Sequence, residues 1–249
     1  MLRTRLLLMT ASRKLVAEAL GTAILLAAVV GSGIMGERLA QGNIAIALLA
    51  NTIATGAALA ALILTFGPIS GAHFNPAVTL CDAALGGLPW RMAPGYILAQ
   101  TFGAFIGVAC AHAMFGLPVF GFSQHVRSGP AQLFSEFIAT FGLLAVIWGV
   151  VRFRSSAVPF AVAAYITSAY WFTASTSFAN PAVTLARSVT NTFSGIRPED
   201  APGFIFAQLL GAAAATLLFR WLAPITADSA AEVVMPHADG ASQVESVPR

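Results

Sequence analysis

The amino-acid sequence predicts an all-α membrane protein: a bundle of six transmembrane helices with two opposed re-entrant half-helices, built as an inverted repeat. Three observations carry this. Of 249 residues 57% are hydrophobic and 9% charged, too little polar material to cover a soluble core of that size. Six apolar stretches are long enough, at ~20 residues each, to cross a hydrocarbon layer of ~30 Å as helices. The hexapeptide NPAVTL occurs twice, at Asn75 to Leu80 and at Asn180 to Leu185.

The spans are placed at Leu15 to Met35, Ile44 to Phe66, Pro94 to Phe115, Leu133 to Val151, Val158 to Phe172 and Pro202 to Leu222. The fifth is short unless it begins in the preceding loop. The opening MLRTRLLLMTASRK is basic and contains LLLM, a run too short for the apolar region of a secretory signal, so residues 1–14 are expected to stay as a cytoplasmic amino terminus. With that end inside, Arg3, Arg5, Arg13, Lys14, Arg91, Arg152, Arg154, Arg220 and Arg249 are inside, and Arg38, Arg127, Arg187 and Arg197 outside. That excess favours cytoplasmic termini; the protein is expected to be multi-pass in a bacterial-type plasma (inner) membrane.

The net charge of +3 is then a topological signal; the partner it implies is the lipid bilayer, and no nucleic acid. Residues 224–249, with Asp228, Glu232, Asp239 and Glu245, are expected to form a mobile cytoplasmic tail. Cys81 and Cys110 fit no metal or redox spacing and are expected to be small buried hydrophobes. No cofactor, metal or catalytic residue is implied.

The landmarks come in duplicate. AEALGTAILL around Glu18 resembles SEFIATFGLL around Glu136, and GYILAQTFGAFIG around Gln100 resembles GFIFAQLLGAAAA around Gln208, with one NPAVTL between each pair. The halves, about 15–115 and 131–223, carry three spans each within one channel domain over 15–223. Three is odd, so the second half starts on the opposite side of the membrane and the halves are related by an axis in its plane. The two NPAVTL segments therefore enter from opposite sides and meet at the midplane.

Proline suits the first turn of a helix, where its missing N–H would have had no partner, and Asn before it is a favoured cap. Each Asn-Pro-Ala thus starts a helix, and the apolar run after it lasts about ten residues, ~15 Å or half the core. The segments leading in, GPISGAHF and FTASTSFA, cannot be helical throughout. Irregular backbone at this depth is tolerated only beside protein or a water-filled cavity. A cavity lined by carbonyls, with the Asn75 and Asn180 amides as donors at its centre, is the economical inference. Both half-helices point their positive ends at that centre, which disfavours cations and protons. This describes a passive channel for small neutral solutes.

On these residues the sequence resembles the aquaporin, or major intrinsic protein, family, with Asn75, Pro76, Ala77 and Asn180, Pro181, Ala182 as its paired motifs. The resemblance covers Leu15 to Leu222. It implies a homotetramer with one pore per subunit, and it implies that Glu18 and Glu136 brace the motif loops. An intramembrane carboxylate also raises the proton-relay reading; the matched positions in the two halves, with no partner base, favour bracing. Gln100 and Gln208 are expected to brace or bond between helices. His73 is read either as a pH-sensitive gate or as a structural bond, the latter favoured, and His112 as a satisfied buried residue. Gly103 and Gly107 form a GxxxG, matched by Gly211 and Ala215, for close helix packing.

In that family an Arg usually follows the second motif at the outer constriction, where Val183 stands here. Carried over by offset, Thr55 falls where water-selective members have an aromatic, and Ser177 at the loop position. The span-five position is Ser168 counted back from Asn180 or Tyr170 counted forward from Pro159, with Tyr170 preferred. Two of the four positions shrink relative to water-selective members, Thr for an aromatic and Val for Arg, so a wider, less polar filter is expected, with Tyr170 filling the gap as the opposing reading. Thr184 stands where glycerol facilitators have Asp. Thr55 together with ANPAVTLARS resembles the arsenic-resistance-associated bacterial aquaglyceroporins of the AqpS type, which implies passage of glycerol, arsenite or methylated arsenicals and of water. Arg187, one turn beyond Val183, either forms a positive outer vestibule or, as the favoured reading, snorkels to headgroups or meets a neighbouring subunit. The rival readings are a water-selective channel and an ion-coupled secondary transporter; a non-conducting scaffold is a third.

Overall fold

The computed structural model describes residues 9–223; Arg3, Arg5 and the tail expected over 224–249 lie outside the described residues. The chain runs through α1 (Ala11–Leu39), α2 (Ile44–Ser70), a short α3 (Pro76–Leu85), α4 (Ala93–Phe115), α5 (Pro130–Arg154), α6 (Val158–Phe172), a short α7 (Pro181–Arg187) and α8 (Ala201–Leu222). Local chemistry sets the ends. The Thr10 side chain accepts the Arg13 N–H at the start of α1, and Asn43 accepts the Ile46 N–H at the start of α2. Helices α2, α3 and α4 stop at Gly71, Gly86 and Gly116, each in the left-handed region where glycine carries no Cβ penalty.

The long helices reach past the predicted spans, because helical hydrogen bonding continues through polar residues such as Arg13 and Lys14 that end the apolar run. Helices α5 and α6 belong to one apolar helical run, Pro130–Phe172, that folds back on itself. At Arg154 the backbone leaves the helix (φ −155, ψ 63) into a 3-10 turn over Ser155–Ala157. The Tyr165 hydroxyl then donates to Ala139 O at 3.1 Å, 26 residues away, a pair that a straight helix would hold ~39 Å apart. The fifth span is therefore α6 with the turn ahead of it.

Helices α1 and α4 pack together, as do α5 and α8, while α2 against α6 joins the two halves. Small residues set the close crossings. A Cβ at Gly103 would stand 2.1 Å from Ala19 O and one at Gly107 2.2 Å from Ala23 O; at Gly211 it would stand 2.3 Å from Phe137 O. Arginines close matching helix ends: Arg38 Nη2 donates to Phe115 O of α4 and Arg152 Nη2 to Phe219 O of α8, both at 3.2 Å, each guanidinium also lying over the ring of the residue it caps.

The outer face carries large exposed apolar side chains, among them Leu98, Phe102, Phe134, Phe206 and Leu217, and Trp90, Trp171 and Trp221 are exposed near helix ends. Such a surface suits hydrocarbon with an aromatic belt at its borders. It also corrects the expectation for one cysteine. Cys81 is buried but Cys110 is exposed on α4, because facing lipid carries no penalty for an apolar side chain.

Gly103→Ala is expected to lower stability by at least about 1–3 kcal/mol, the usual range for overpacking. Gly95→Ala, whose Cβ would meet only the flexible Leu15 side chain at 3.2 Å, is expected to be far milder. The midpoints of thermal unfolding in detergent compare the two.

Candidate channel site

Each short helix begins at an Asn cap. Asn75 Oδ1 accepts the Ala77 N–H at 2.9 Å, and Asn180 Oδ1 accepts those of Ala182 and Val183 at 3.0 and 3.3 Å. The amide nitrogens reach across to the other half: Asn75 Nδ2 donates to Ala179 O at 2.8 Å and Asn180 Nδ2 to Phe74 O at 2.7 Å. One N–H of each amide thus locks the two motifs together, which the sequence reading had assigned to solute; each amide has a second N–H, and both residues line the cavity.

The loops leading into the caps bend through left-handed backbone at non-glycine residues: Ala72 and Phe74 in the first, Thr176, Ser177 and Ala179 in the second. Such conformations are uncommon and persist where surroundings over-determine them. Here two fully buried carboxylates do so. Glu18 accepts the backbone N–H of His73 (3.0 Å) and Phe74 (2.7 Å), the Ser70 hydroxyl (2.6 Å) and Gln100 Nε2 (2.8 Å). Glu136 accepts the N–H of Phe178 and Ala179, both at 2.9 Å, and Gln208 Nε2 at 2.6 Å. Gln100 and Gln208 also donate to Thr79 and Thr184, each at 2.9 Å, and those hydroxyls donate to Asn75 O and Asn180 O. The two halves repeat this network except for the Ser70 hydroxyl, whose bond to Glu18 has no counterpart at Glu136 among the described residues.

A cavity of ≈ 70 Å³ runs past the caps. Four helices line it with apolar pairs one turn apart: Leu25 and Val29 on α1, Leu59 and Ile63 on α2, Leu143 and Ile147 on α5, Val162 and Ile166 on α6. Polar groups enter only at the caps, at the loops and at one end, where Thr55, Tyr170, Ser177, Val183 and Arg187 share the wall. Thr55 Oγ1 lies 3.3 Å from the Tyr170 hydroxyl. Ser168 is outside this group: it is exposed, and its hydroxyl donates to Tyr165 O.

Arg187 corrects the expectation of a snorkelling side chain. It is 2% exposed, its Nε donates to Ser194 O, and its guanidinium carbon lies 3.4 Å from the centre of the Phe178 ring. The second half-helix is also shorter than expected, seven residues against about ten. The carbonyls of Ser188 and Val189 accept the N–H groups of Ser123 and Gly121 from the α4–α5 loop, both at 3.0 Å, so the chain leaves the helix to pair with that loop.

Two participants escaped the sequence reading. Asp82 is fully buried on α3 with Oδ2 3.3 Å from His73 Nε2, while His73 Nδ1 lies 3.1 Å from Thr79 Oγ1. This is a buried acid–base pair where none was foreseen, nine residues apart in sequence and two turns down the half-helix from its cap. Arg127 donates to Gly195 O, Ser175 O and Thr176 Oγ1 at 2.8, 3.1 and 3.4 Å, fastening the second loop from outside. His112 is satisfied by Pro118 O (2.6 Å) and Thr190 Oγ1 (2.7 Å). In the same region burial, aided by the Arg127 charge, holds His125 below its ordinary pKa of 6.5. Burial pushes the Asp200 carboxyl up, but its bond from Arg197, the Arg127 N–H and the Arg197 charge outweigh this and hold it below 3.8.

Paired half-helices capped end to end around a narrow cavity, inside a bundle with an apolar exterior, define a membrane channel. The chain matches the major intrinsic protein family over residues 6–157 and 150–247, and it belongs to that family. It is 60% identical over 211 residues to Aquaglyceroporin AqpS of Rhizobium meliloti (strain 1021), covering 85% of this chain and 90% of that protein. It is 36% identical over 159 residues to Aquaglyceroporin-3 of Trypanosoma brucei brucei (55% and 51%) and 39% identical over 140 residues to Aquaporin NIP1-1 of Zea mays (55% and 49%). The fold matches the X-ray structure of the aquaglyceroporin from Plasmodium falciparum with a TM-score of 0.66 at 19% identity, over 86% of this chain and 98% of that one.

Glu136→Gln places an NH₂ against backbone donors and is expected to cost about 1–3 kcal/mol for each donor left unsatisfied, read as a lower unfolding midpoint together with lost solute flux. For Asp200 the contribution to holding the Arg127 segment is present above the ordinary carboxyl pKa and lost as pH falls through the depressed one. Hydrogen exchange at residues 123–127 should therefore quicken, beyond the intrinsic pH effect, only below about pH 4, and Asp200→Asn should abolish that dependence.

Proposed function

We propose that this chain is a passive channel for small uncharged solutes of the aquaglyceroporin kind, carrying glycerol, arsenite or methylated arsenicals in neutral form, and water. The observation that carries the reading is the cavity itself: apolar walls, polar groups confined to the motif caps, the loops and one end, and Val183 at that end beside Thr55, Tyr170 and Ser177. These four are assigned as the selectivity filter, Asn75, Pro76, Ala77, Asn180, Pro181 and Ala182 as the central constriction, and Glu18 and Glu136 as loop braces. The name of the 60%-identical relative, an aquaglyceroporin, supports the same class. The halves 15–115 and 131–223 make one channel domain, in an inner membrane with cytoplasmic termini, as a homotetramer with a pore in each subunit.

The contact of Thr55 with Tyr170 at 3.3 Å favours a second reading, a water-selective pore narrowed by the tyrosine. Ion-coupled transport is less well supported, because both span carboxylates are committed to loop N–H groups.

Stopped-flow measurements in proteoliposomes separate these. The wild type is expected to pass water, glycerol and arsenite, and Val183→Arg to cut glycerol and arsenite by ~tenfold or more while sparing water, since pore width and wall donors set selectivity. Water flux alone in the wild type, unchanged by Val183→Arg, would establish the water-selective reading instead.

A further inference from the structure

We propose that Arg187 is a specificity-determining residue: the fixed positive charge that turns cations and hydronium away at the α7 end of the pore. The proposal rests on the channel reading above. Arginine stays charged in a protein interior where other bases give up their proton, and this one is both 2% exposed and on the cavity wall. Its position is held from three sides. Nε donates to Ser194 O, the guanidinium lies against the Phe178 ring, and its own carbonyl accepts the Ile196 N–H at 3.2 Å.

Among the described residues no carboxylate lies at ion-pair distance from it, so no direct ion pair neutralises it on the cavity wall. Glu136, a buried acid of the same half, is bonded to two loop N–H groups and Gln208 rather than to Arg187. Arg127 does not substitute: it is not on the cavity wall, and its side-chain bonds go to loop oxygens.

The repeat sharpens the point. Arg187 stands seven residues after Asn180, and the residue seven after Asn75 is Asp82. Each meets the residue two before its own Asn, Phe178 and His73 respectively. Asp82, however, is off the wall and faces a base. The pore thus keeps one of the two charges and compensates the other. A unit charge within several ångströms of a permeating cation in a wall of low dielectric is worth on the order of tenfold to hundredfold in its passage.

The experiment reconstitutes the full chain in liposomes and reports proton permeability, from an internal pH dye under valinomycin clamp, relative to glycerol permeability in the same vesicles. Arg187→Gln, which keeps a donor for Ser194 O, is expected to raise that ratio at least ~tenfold, and Arg187→Lys to leave it within ~twofold. Arg187→His supplies a titratable charge, so its ratio should be high at pH 8 and low at pH 5.5. A ratio equal to wild type in Arg187→Gln vesicles that still pass glycerol overturns the proposal. Should that variant not assemble, a ratio in Arg187→His that ignores pH overturns it equally. Vesicles of wild type that pass no glycerol or other neutral solute would instead refute the channel reading.

Discussion

The structure depends on two carboxylates meeting backbone N–H groups at membrane depth. Loop backbone in hydrocarbon must have every polar group satisfied, and burying an ionised carboxyl costs several kcal/mol unless it is well bonded. Glu18 and Glu136 answer both demands at once. Each takes two consecutive loop N–H groups, which fixes the left-handed turns ahead of Asn75 and Asn180. Each also binds a Gln that passes the restraint to a Thr on the half-helix. One acid therefore ties a long helix, a loop, a half-helix and a second long helix together, and the cavity is the space these ties hold open.

The departures from the repeat follow from the same logic. Ser70 O accepts the Tyr96 hydroxyl at 2.9 Å. In the second half the corresponding ring is Phe204, which stacks edge-on against Phe178 as Tyr96 tilts against His73 but has no hydroxyl. The equivalent carbonyl, Ser175 O, is satisfied by Arg127 from the α4–α5 loop. A missing hydroxyl in one helix thus explains why a surface loop crosses to the second motif. That loop in turn draws Ser188 and Val189 out of α7, so the shortened half-helix belongs to the same compensation.

Six spans, two opposed half-helices and their duplicated landmarks were legible in the sequence because each is a local signal: apolar length, Asn-Pro at a helix start, an acid and a Gln at matched places. What was not legible is set by partners distant in sequence. The end of α7 depends on Gly121 and Ser123, the Asp82–His73 pair on the pitch of α3, and the exposure of Cys110 on which face of α4 meets lipid. Counting also left Ser168 and Tyr170 open, since a turn of uncertain length lies between the two reference points; only the fold shows that Tyr170 faces the cavity while the Ser168 hydroxyl bonds within its own helix. Arg187 is the instructive error. A charged residue near a short helix end reads as surface, yet Phe178 ahead of α7 and the segment of Ser194 and Ile196 after it enclose this one.

The geometry of a helix explains why a charge at Arg187 can act near Val183. Side chains on an α-helix lean toward its amino terminus, so a residue covers the turn before its own Cα. Arg187 is four residues beyond Val183 and on nearly the same face, and its guanidinium comes back onto the Phe178 ring in the loop ahead of the helix. Small size at one position and charge one turn later therefore belong to a single wall, which Thr55 and Tyr170 share: the side chain beside the filter is short, and the charge is carried by a longer one rooted a turn further along.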